Sequence, residues 1–176
     1  QGTGRLIVSN AVSTRVAIPM LVNNLREPDN YGAYKSKSTN IFANAKKQGY
    51  QTAFISAQGL EGLSNWIGIH DIDLWEDTQI RPAPDVGADV VLTPSVEKAT
   101  LDWNKPFLMV LNSRAPHIPY ERNIPQGFAK FSTPRLSDDV AQKKNEYDDA
   151  VRLYDKELAS AIRTALAKSK LPVLVF

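Results

Sequence analysis

The chain has 176 residues, a formal net charge of +2 and 23% charged residues. This length suits one domain with a substantial core and is short for two. Basic and acidic residues are interspersed, so nothing favours a nucleic-acid partner. The sequence has no apolar stretch of the roughly 18 residues that a membrane span needs and no recognisable secretory signal. It has no cysteine for disulfides or thiolate metal sites.

The first chemically informative stretch is a hydroxyl pair, Ser13 and Thr14, between two apolar segments. Leu6–Val8 predicts a strand, and Val16–Leu25 predicts a helix. A hydroxyl at the start of a helix lies beside unpaired backbone N–H groups and the positive end of the helix dipole. That position favours a bound anion and suits a nucleophile that becomes phosphorylated or sulfated. It equally suits a simple helix cap.

The next part of the chain predicts a loop, a helix and a strand. Arg26–Lys37 contains proline, glycine and short polar residues, which are typical of a surface loop. Thr39 suits the N-cap of a helix over Asn40–Gln48, with Gly49 at its C-terminal end. A strand at Tyr50–Ser56 follows. A helix that leads through glycine into such a strand predicts an α/β fold with a mostly parallel sheet flanked by helices.

Two polar segments follow this strand. Gln58 lies directly after it, where open α/β sheets place their ligands, although it also suits a loop in water. Trp66–Trp75 predicts an exposed loop that contains His70, Asp71 and Asp73. Adjacent side chains of this kind do not converge on a metal without a dedicated loop, and the glycine and glutamate of an EF-hand are absent. We therefore interpret this segment as a loop and not as a metal site.

A second buried strand is predicted further along. Gly87–Leu92 suggests a short strand or an extended linker. Thr93 and Pro94 suit the cap and the first position of a helix that runs through Val96, Ala99, Thr100 and Trp103 and ends before Pro106. Phe107–Leu111 is a continuous apolar run, which predicts a strand buried on both faces.

The loop after that strand holds the stronger histidine candidate, His117. A buried strand supports such a loop rigidly, and imidazole can bind zinc or hold a phosphate. A long helix then begins near Ser137, and a final apolar strand is predicted at Leu171–Phe176. The predicted buried stripe of the helix consists of Tyr147, Ala150, Val151, Tyr154, Leu158, Ile162 and Leu166. Its charged residues, Asp148, Asp149, Arg152, Asp155 and Lys156, are expected to be mostly solvated and structural.

Several of these segments resemble, in the same order, the phosphoethanolamine transferases of the sulfatase and alkaline phosphatase superfamily. Residues 14–19, Thr-Arg-Val-Ala-Ile-Pro, are similar to the Thr-x-x-Ser-x-Pro nucleophile motif, with Ala17 at the usual serine. His117, Pro119, Tyr120 and Arg122 are similar to the family's His-x-Pro segment and its following aromatic and basic residues. Two later features also match. Pro125–Pro134, with Phe128 and Phe131, resembles the family's Phe-x-x-Phe loop, which implies a packing role, and the long helix contains the similar sequence Tyr-Asp-x-Ala-x-x-x-Tyr-Asp.

The resemblance implies that residues 1–176 are the central portion of a single sulfatase-like catalytic domain. It implies that Thr14 is the catalytic nucleophile and a zinc ligand, and that His117, Gln58, Tyr120 and Arg122 bind the substrate. Glu61-Gly62 stands where the family usually has a Lys-Gly pair. The family's other zinc ligands would come from an acidic strand before Gln1 and an Asp-His-Gly segment after Phe176.

The implied function is transfer of phosphoethanolamine from a phospholipid donor to a lipid or glycan acceptor through a phosphothreonine, with zinc as cofactor. The implied location is the inner membrane, held by a segment outside these residues, with the catalytic domain facing the periplasm. No nucleic-acid partner is implied.

Three alternatives stay open at this stage. A phosphodiesterase or sulfatase of the same superfamily would transfer to water, although the Cys/Ser-x-Pro-x-Arg signature of sulfatases is not found near Thr14. A non-catalytic binding module would explain the missing metal ligands. A nucleotide-binding Rossmann domain is disfavoured because the sequence contains neither Gly-x-Gly-x-x-Gly nor a P-loop.

Overall fold

The fold is given by a computed structural model, which describes residues 13–26, 31–36, 38–60, 62–78, 88–131 and 139–175. The strands are β1 (Gln51–Ser56), β2 (Leu74–Glu76) and β3 (Phe107–Asn112). The helices are α1 (Thr14–Val22), α2 (Tyr31–Ser36), α3 (Ile41–Lys47), α4 (Ser64–Ile67), α5 (Leu92–Lys98) and α6 (Asp139–Lys168). Short 3₁₀ turns lie at Ile69–Asp71, Ala88–Val91 and Tyr120–Asn123.

The strands form one parallel sheet in the order β2-β1-β3. Gln51 is opposite Phe107, and the register continues to Ser56 opposite Asn112. The predicted α/β fold with a parallel sheet flanked by helices is confirmed. The strands predicted at residues 50–56 and 107–111 are confirmed as well. β3 is half-buried along its length, so the predicted burial on both faces is not found among the described residues.

Successive residues of β1 face opposite sides of the sheet, and each side has its own helical cover. Phe54 packs with Val22 of α1, Phe42 of α3 and Ile67 of α4, and its ring stacks on Trp75 at 4.8 Å. Ile55 packs on the other side against residues of α5 and α6: Leu92, Val96, Ala161 and Ala165. The sheet therefore lies between two helical layers.

A buried side chain, Asn40, joins three helices on the Phe54 side. Its oxygen accepts hydrogen bonds from the backbone N–H groups of Phe42 at 2.9 Å and Ala43 at 3.0 Å, which caps α3. Its amide donates to the side-chain oxygen of Asn23 at 3.0 Å and to the carbonyl of Ile67 at 2.9 Å. The prediction of Thr39 as the cap is wrong, because Asn40 fills that role and the Thr39 hydroxyl donates to the Asn23 carbonyl.

Two predicted loops contain regular structure. The loop predicted at 26–37 contains α2. Its glycine and polar residues are compatible with such a short helix. The loop predicted at 66–75 contains α4, a 3₁₀ turn and β2. These elements are only three to six residues long. In addition, β2 is stabilised by pairing with β1, and this pairing cannot be recognised from the local sequence.

The predicted start and end of α5 are also wrong. The segment predicted as a strand or linker forms a 3₁₀ turn from Ala88 that runs directly into α5 at Leu92. Thr93 and Pro94 therefore lie inside the first turn, where proline loses no intrahelical hydrogen bond. Val91 is the N-cap without a side-chain hydrogen bond, and the helix ends at Lys98, well before Pro106.

The long helix is confirmed, but its buried face differs from the predicted stripe. Tyr147, Val151 and Leu166 are exposed. The buried residues are Asp149, Ala150, Leu153, Glu157, Ala161 and Ala165. Small alanines let α6 approach α5 closely, which a large apolar side chain would prevent.

Asp149 is fully buried and accepts hydrogen bonds from the backbone of Lys130 and Phe131, so its expected solvation is wrong. Its expected structural role is confirmed, since it fixes the loop that carries Phe131. Residues 171–175 are not in a strand, contrary to prediction. The strand predicted at residues 6–8 lies outside the described residues.

Gly68 allows a close contact with Asn40 that an added side chain would disturb. Its φ is +96°, and a Cβ there would lie 3.0 Å from the Asn40 side-chain nitrogen. Gly49 has a similar φ of +79° but open space around it. We expect Gly49→Ala to lower the free energy of unfolding by about 1 kcal/mol through backbone strain alone.

Gly68→Ala should cost about 1 kcal/mol more than Gly49→Ala, because the hydrogen-bonded Asn40 side chain cannot move aside freely. Urea unfolding of both variants measures the difference. Equal losses would show that the Asn40 contact does not constrain this turn.

Candidate functional site

The carboxyl ends of β1 and β3 are joined by side-chain hydrogen bonds. Ser56 and Asn112 are paired in register, and the Asn112 amide donates to the Ser56 hydroxyl at 2.8 Å. Just beyond, the Gln58 side chain donates to the Ser113 carbonyl at 2.7 Å. The two loops that leave these strands are thereby held together at the edge where parallel sheets bind ligands.

A buried carboxylate, Asp89, fixes the loop that follows β3. It is fully buried and accepts hydrogen bonds from the Ser113 hydroxyl, the Arg114 backbone N–H at 2.6 Å and the Ala115 backbone N–H at 3.1 Å. A carboxylate removed from water needs such donors. Sequence reasoning missed Asp89, although an isolated acid in the apolar run Ala88–Leu92 is a signal that such a residue has buried partners.

Asn123 holds the same loop from its other end and was also missed. It is buried, and its amide donates to the His117 carbonyl at 2.6 Å. Its oxygen accepts from the Arg114 Nε–H at 3.2 Å. The backbone around His117 is therefore held by Asp89 before the histidine and by Asn123 after it.

His117 is exposed at this edge of the sheet, as its position after β3 predicts. Its backbone N–H donates to the Arg114 carbonyl at 2.8 Å, which closes a turn. Its ring Nδ1 lies 2.6 Å from the Ile118 carbonyl. Because a carbonyl only accepts, this bond requires the proton on Nδ1, and in the neutral form of the ring it leaves the Nε2 lone pair available to a metal or to an acidic substrate proton.

The other predicted substrate-binding residues are distributed around this loop. Tyr120 lies in the 3₁₀ turn and packs edge-on against Tyr147 of α6, with ring centroids 5.3 Å apart. Arg122 is exposed in the same turn. Gln58 lies beside Ser113, and its amide is used in the bond between the loops. Their roles in substrate binding stay predictions.

Thr14 is the first residue of α1, which is the backbone position that the nucleophile hypothesis requires. Its side chain lies outside what the structure describes. Ser13 occupies the N-cap position, but its side chain makes no capping hydrogen bond. The backbone N–H groups of Val16 and Ala17 donate to the Ser13 carbonyl at 3.0 and 2.8 Å. Capping by the Ser13 side chain is therefore not found, and the catalytic and zinc-binding roles of Thr14 stay predictions.

The acidic segment with His70 has a structural role at the opposite end of β1. Asp73 accepts a hydrogen bond from Lys46 at 2.7 Å and from the Thr52 backbone N–H at 2.9 Å. Partial burial on its own raises the pKa of the Asp73 carboxyl, but the bonds from Lys46 and Thr52 and the Lys46 charge outweigh it and lower this pKa below its ordinary value. Asp73 therefore joins α3 and the segment before β2 to the start of β1.

The described ranges contain no group of three or more His, Cys, Asp or Glu side chains that could hold a metal ion. Zinc in proteins normally has three or four protein ligands. The residues described therefore do not form the expected zinc site. In the same part of the chain, no helix is both long and apolar enough to cross a membrane.

Comparison with protein families matches this chain to the Sulfatase family over residues 5–176. The match covers nearly the whole sequence, and the chain therefore belongs to the sulfatase family. Comparisons with curated proteins and with solved structures found no match. The resemblance to the sulfatase and alkaline phosphatase superfamily is confirmed at that level, and family membership suggests a metal cofactor in general terms.

The contacts of Asp73 predict a pH-dependent stability. Because its pKa is lower in the folded state, its ionised form stabilises the fold fully above its unfolded pKa of about 4, and this contribution is lost as the pH falls through the folded value. We expect Asp73→Asn to cost about 0.5–1 kcal/mol at pH 7, a small value because the ion pair is partly exposed.

Urea unfolding of both proteins between pH 7 and pH 3 tests this expectation, with Lys46→Met as the matched loss of the other partner. The difference in the free energy of unfolding between wild type and Asp73→Asn should become smaller toward pH 3. A difference that stays constant or grows on acidification would contradict a stabilising role for the ionised Asp73 carboxylate.

Proposed function

We propose that this chain is part of an enzyme that transfers phosphoethanolamine from a phospholipid donor to a hydroxyl of a lipid or glycan acceptor, through a phosphothreonine at Thr14. Membership of the sulfatase family supports the handling of phosphoryl or sulfuryl groups. The observation that favours Thr14 is its position as the first residue of α1, within Thr-Arg-Val-Ala-Ile-Pro.

The chemistry proceeds in two balanced displacements. In the first, the Thr14 hydroxyl loses its proton as its oxygen attacks the donor phosphorus and forms a new P–O bond, and the bond to the diacylglycerol oxygen breaks as that oxygen takes up a proton. In the second, an acceptor hydroxyl loses its proton as it attacks the same phosphorus, and the threonine oxygen leaves and takes up a proton. The positive end of the α1 dipole, at which Thr14 lies, stabilises the negative oxygens in both steps.

The residues at the carboxyl edge of the sheet bind and orient the transferred group. His117 Nε2 is available to hold a proton of the phosphate-bearing group. Gln58, Tyr120 and Arg122 are proposed to contact the donor or acceptor. The described residues do not form a site for zinc. Attachment to the inner membrane and exposure to the periplasm belong to this proposal, as does the absence of a nucleic-acid partner.

Two other functions differ from this one in a measurable way. A hydrolase of the same family would pass the group to water and release free phosphoethanolamine or another acid. A non-catalytic binding module would turn over no donor, and the lack of a three-ligand metal cluster in the described part of the chain favours it as the second candidate.

Substitution of Thr14 tests the proposal in the protein as its gene encodes it. With a phosphatidylethanolamine donor and a lipid acceptor, Thr14→Ala should lower transfer by on the order of 10³-fold or more, because the nucleophile is removed. Thr14→Ser retains a hydroxyl and should keep measurable transfer.

Both products, transferred and free phosphoethanolamine, are quantified, and the folding of each variant is checked by its unfolding curve. Near wild-type transfer by Thr14→Ala would overturn the assignment of the nucleophile. Release of free phosphoethanolamine alone would establish the hydrolase instead, and no turnover of donor by the wild type would favour the binding module.

A further inference from the structure

Arg114 occupies the centre of the held loop at the sheet edge. Its backbone N–H donates to the buried carboxylate of Asp89, and its carbonyl accepts from the backbone N–H of His117. The residue is half-buried. Its main chain is thus fixed on both sides, within the same turn as the exposed histidine.

The side chain of Arg114 is fixed as well, but its charge is not neutralised. Nε–H donates to the Asn123 side-chain oxygen at 3.2 Å, which is a neutral acceptor. Over the described residues, Arg114 makes no ion pair with a carboxylate, and its two terminal Nη groups have no hydrogen-bond partner. Asp89 contacts Arg114 through the backbone N–H and not through the guanidinium.

A half-buried arginine without an anionic partner among the described residues loses part of its hydration and gains no ion pair in return. Its end-on Nη edge has the planar, two-donor geometry that matches two oxygens of a phosphate. The bond from Nε to Asn123 limits the rotation of the side chain, so less conformational entropy is lost when an anion binds.

We propose that Arg114 binds a tetrahedral phosphate oxyanion beside His117. This inference rests on the proposed function, whose substrate carries such a group, and it assigns the anion contact to a residue that the sequence pattern did not single out. The resemblance implied Arg122 as a substrate-binding residue, yet Arg122 is exposed and lies in a 3₁₀ turn without a fixing contact of this kind among the described residues. The structure favours the arginine that is held in place.

The test is a titration of the wild-type protein with inorganic phosphate at constant ionic strength, followed by the NMR signals of the His117 ring and the Arg114 Nε–H. Saturable shifts of both signals are expected. Arg114→Gln should weaken binding by about 10-fold or more, because it removes the charge and leaves a neutral donor for Asn123. Arg114→Lys should weaken it less, since the charge remains but the two-donor geometry is lost.

Arg163→Ala serves as the matched control, because Arg163 is an exposed arginine on α6 outside the site. The phosphate affinity of this variant should stay within about twofold of the wild-type value. Unfolding curves of all variants are compared, and the Lys variant keeps the test informative if the Gln variant is unstable.

Unchanged phosphate affinity in Arg114→Gln, or a loss in Arg122→Ala with none in Arg114→Gln, would overturn the inference. No saturable binding by the wild type would overturn it too. The outcome is independent of the transfer assay: phosphate binding through Arg114 without any transfer would retain this inference and refute the proposed function. Transfer through Thr14 with unchanged phosphate affinity in Arg114→Gln would support the proposed function and refute this inference.

Discussion

The buried carboxylate of Asp89 decides where the loop after β3 lies. It accepts two backbone N–H groups and one hydroxyl from residues 113–115, far along the chain from its own position beside α5. Hydrogen bonds to a charged acceptor contribute roughly 1.5–3 kcal/mol each, and an unpaired buried carboxylate costs several kcal/mol. The loop is therefore held in one backbone conformation, and His117 and Arg114 are placed relative to the sheet as a consequence.

This constraint works only because the parallel sheet brings distant segments to one edge. β1 and β3 end side by side, and the Asn112–Ser56 and Gln58–Ser113 bonds join the loops that follow them. On the Phe54 side, the Asn40 network fixes α1, α3 and α4 to one another. The start of α1, where Thr14 lies, thereby belongs to a helix whose C-terminal end is firmly anchored through Asn23.

The larger elements could be predicted from the sequence because their signals are local. The apolar runs of β1 and β3 and the long periodic segment of α6 are confirmed, and the position of His117 follows directly from the end of β3. Short elements such as β2 could not be predicted, since its three residues are stabilised by pairing with β1 and not by their own propensity. The buried face of α6 differs from the predicted stripe because close packing against α5 favours alanines over larger apolar residues.

The same reasoning explains which site residues were found. Loop residues directly after strands, such as Gln58 and His117, can be recognised from their position alone. Asp89 and Asn123 could not, because their partners lie 24 and 6 residues away and become neighbours only in the folded chain. Arg114 becomes a candidate only when its contacts show a fixed side chain without a carboxylate partner.

The proposed function requires that Thr14 carries the transferred group during turnover. The most direct measurement is peptide mass mapping of the gene's full protein product, quenched during the reaction with a phosphatidylethanolamine donor and no acceptor. We expect one phosphoethanolamine adduct on Thr14, which disappears when acceptor is added and is absent in Thr14→Ala. An adduct on another residue, or continued transfer with Thr14 unmodified, would contradict it.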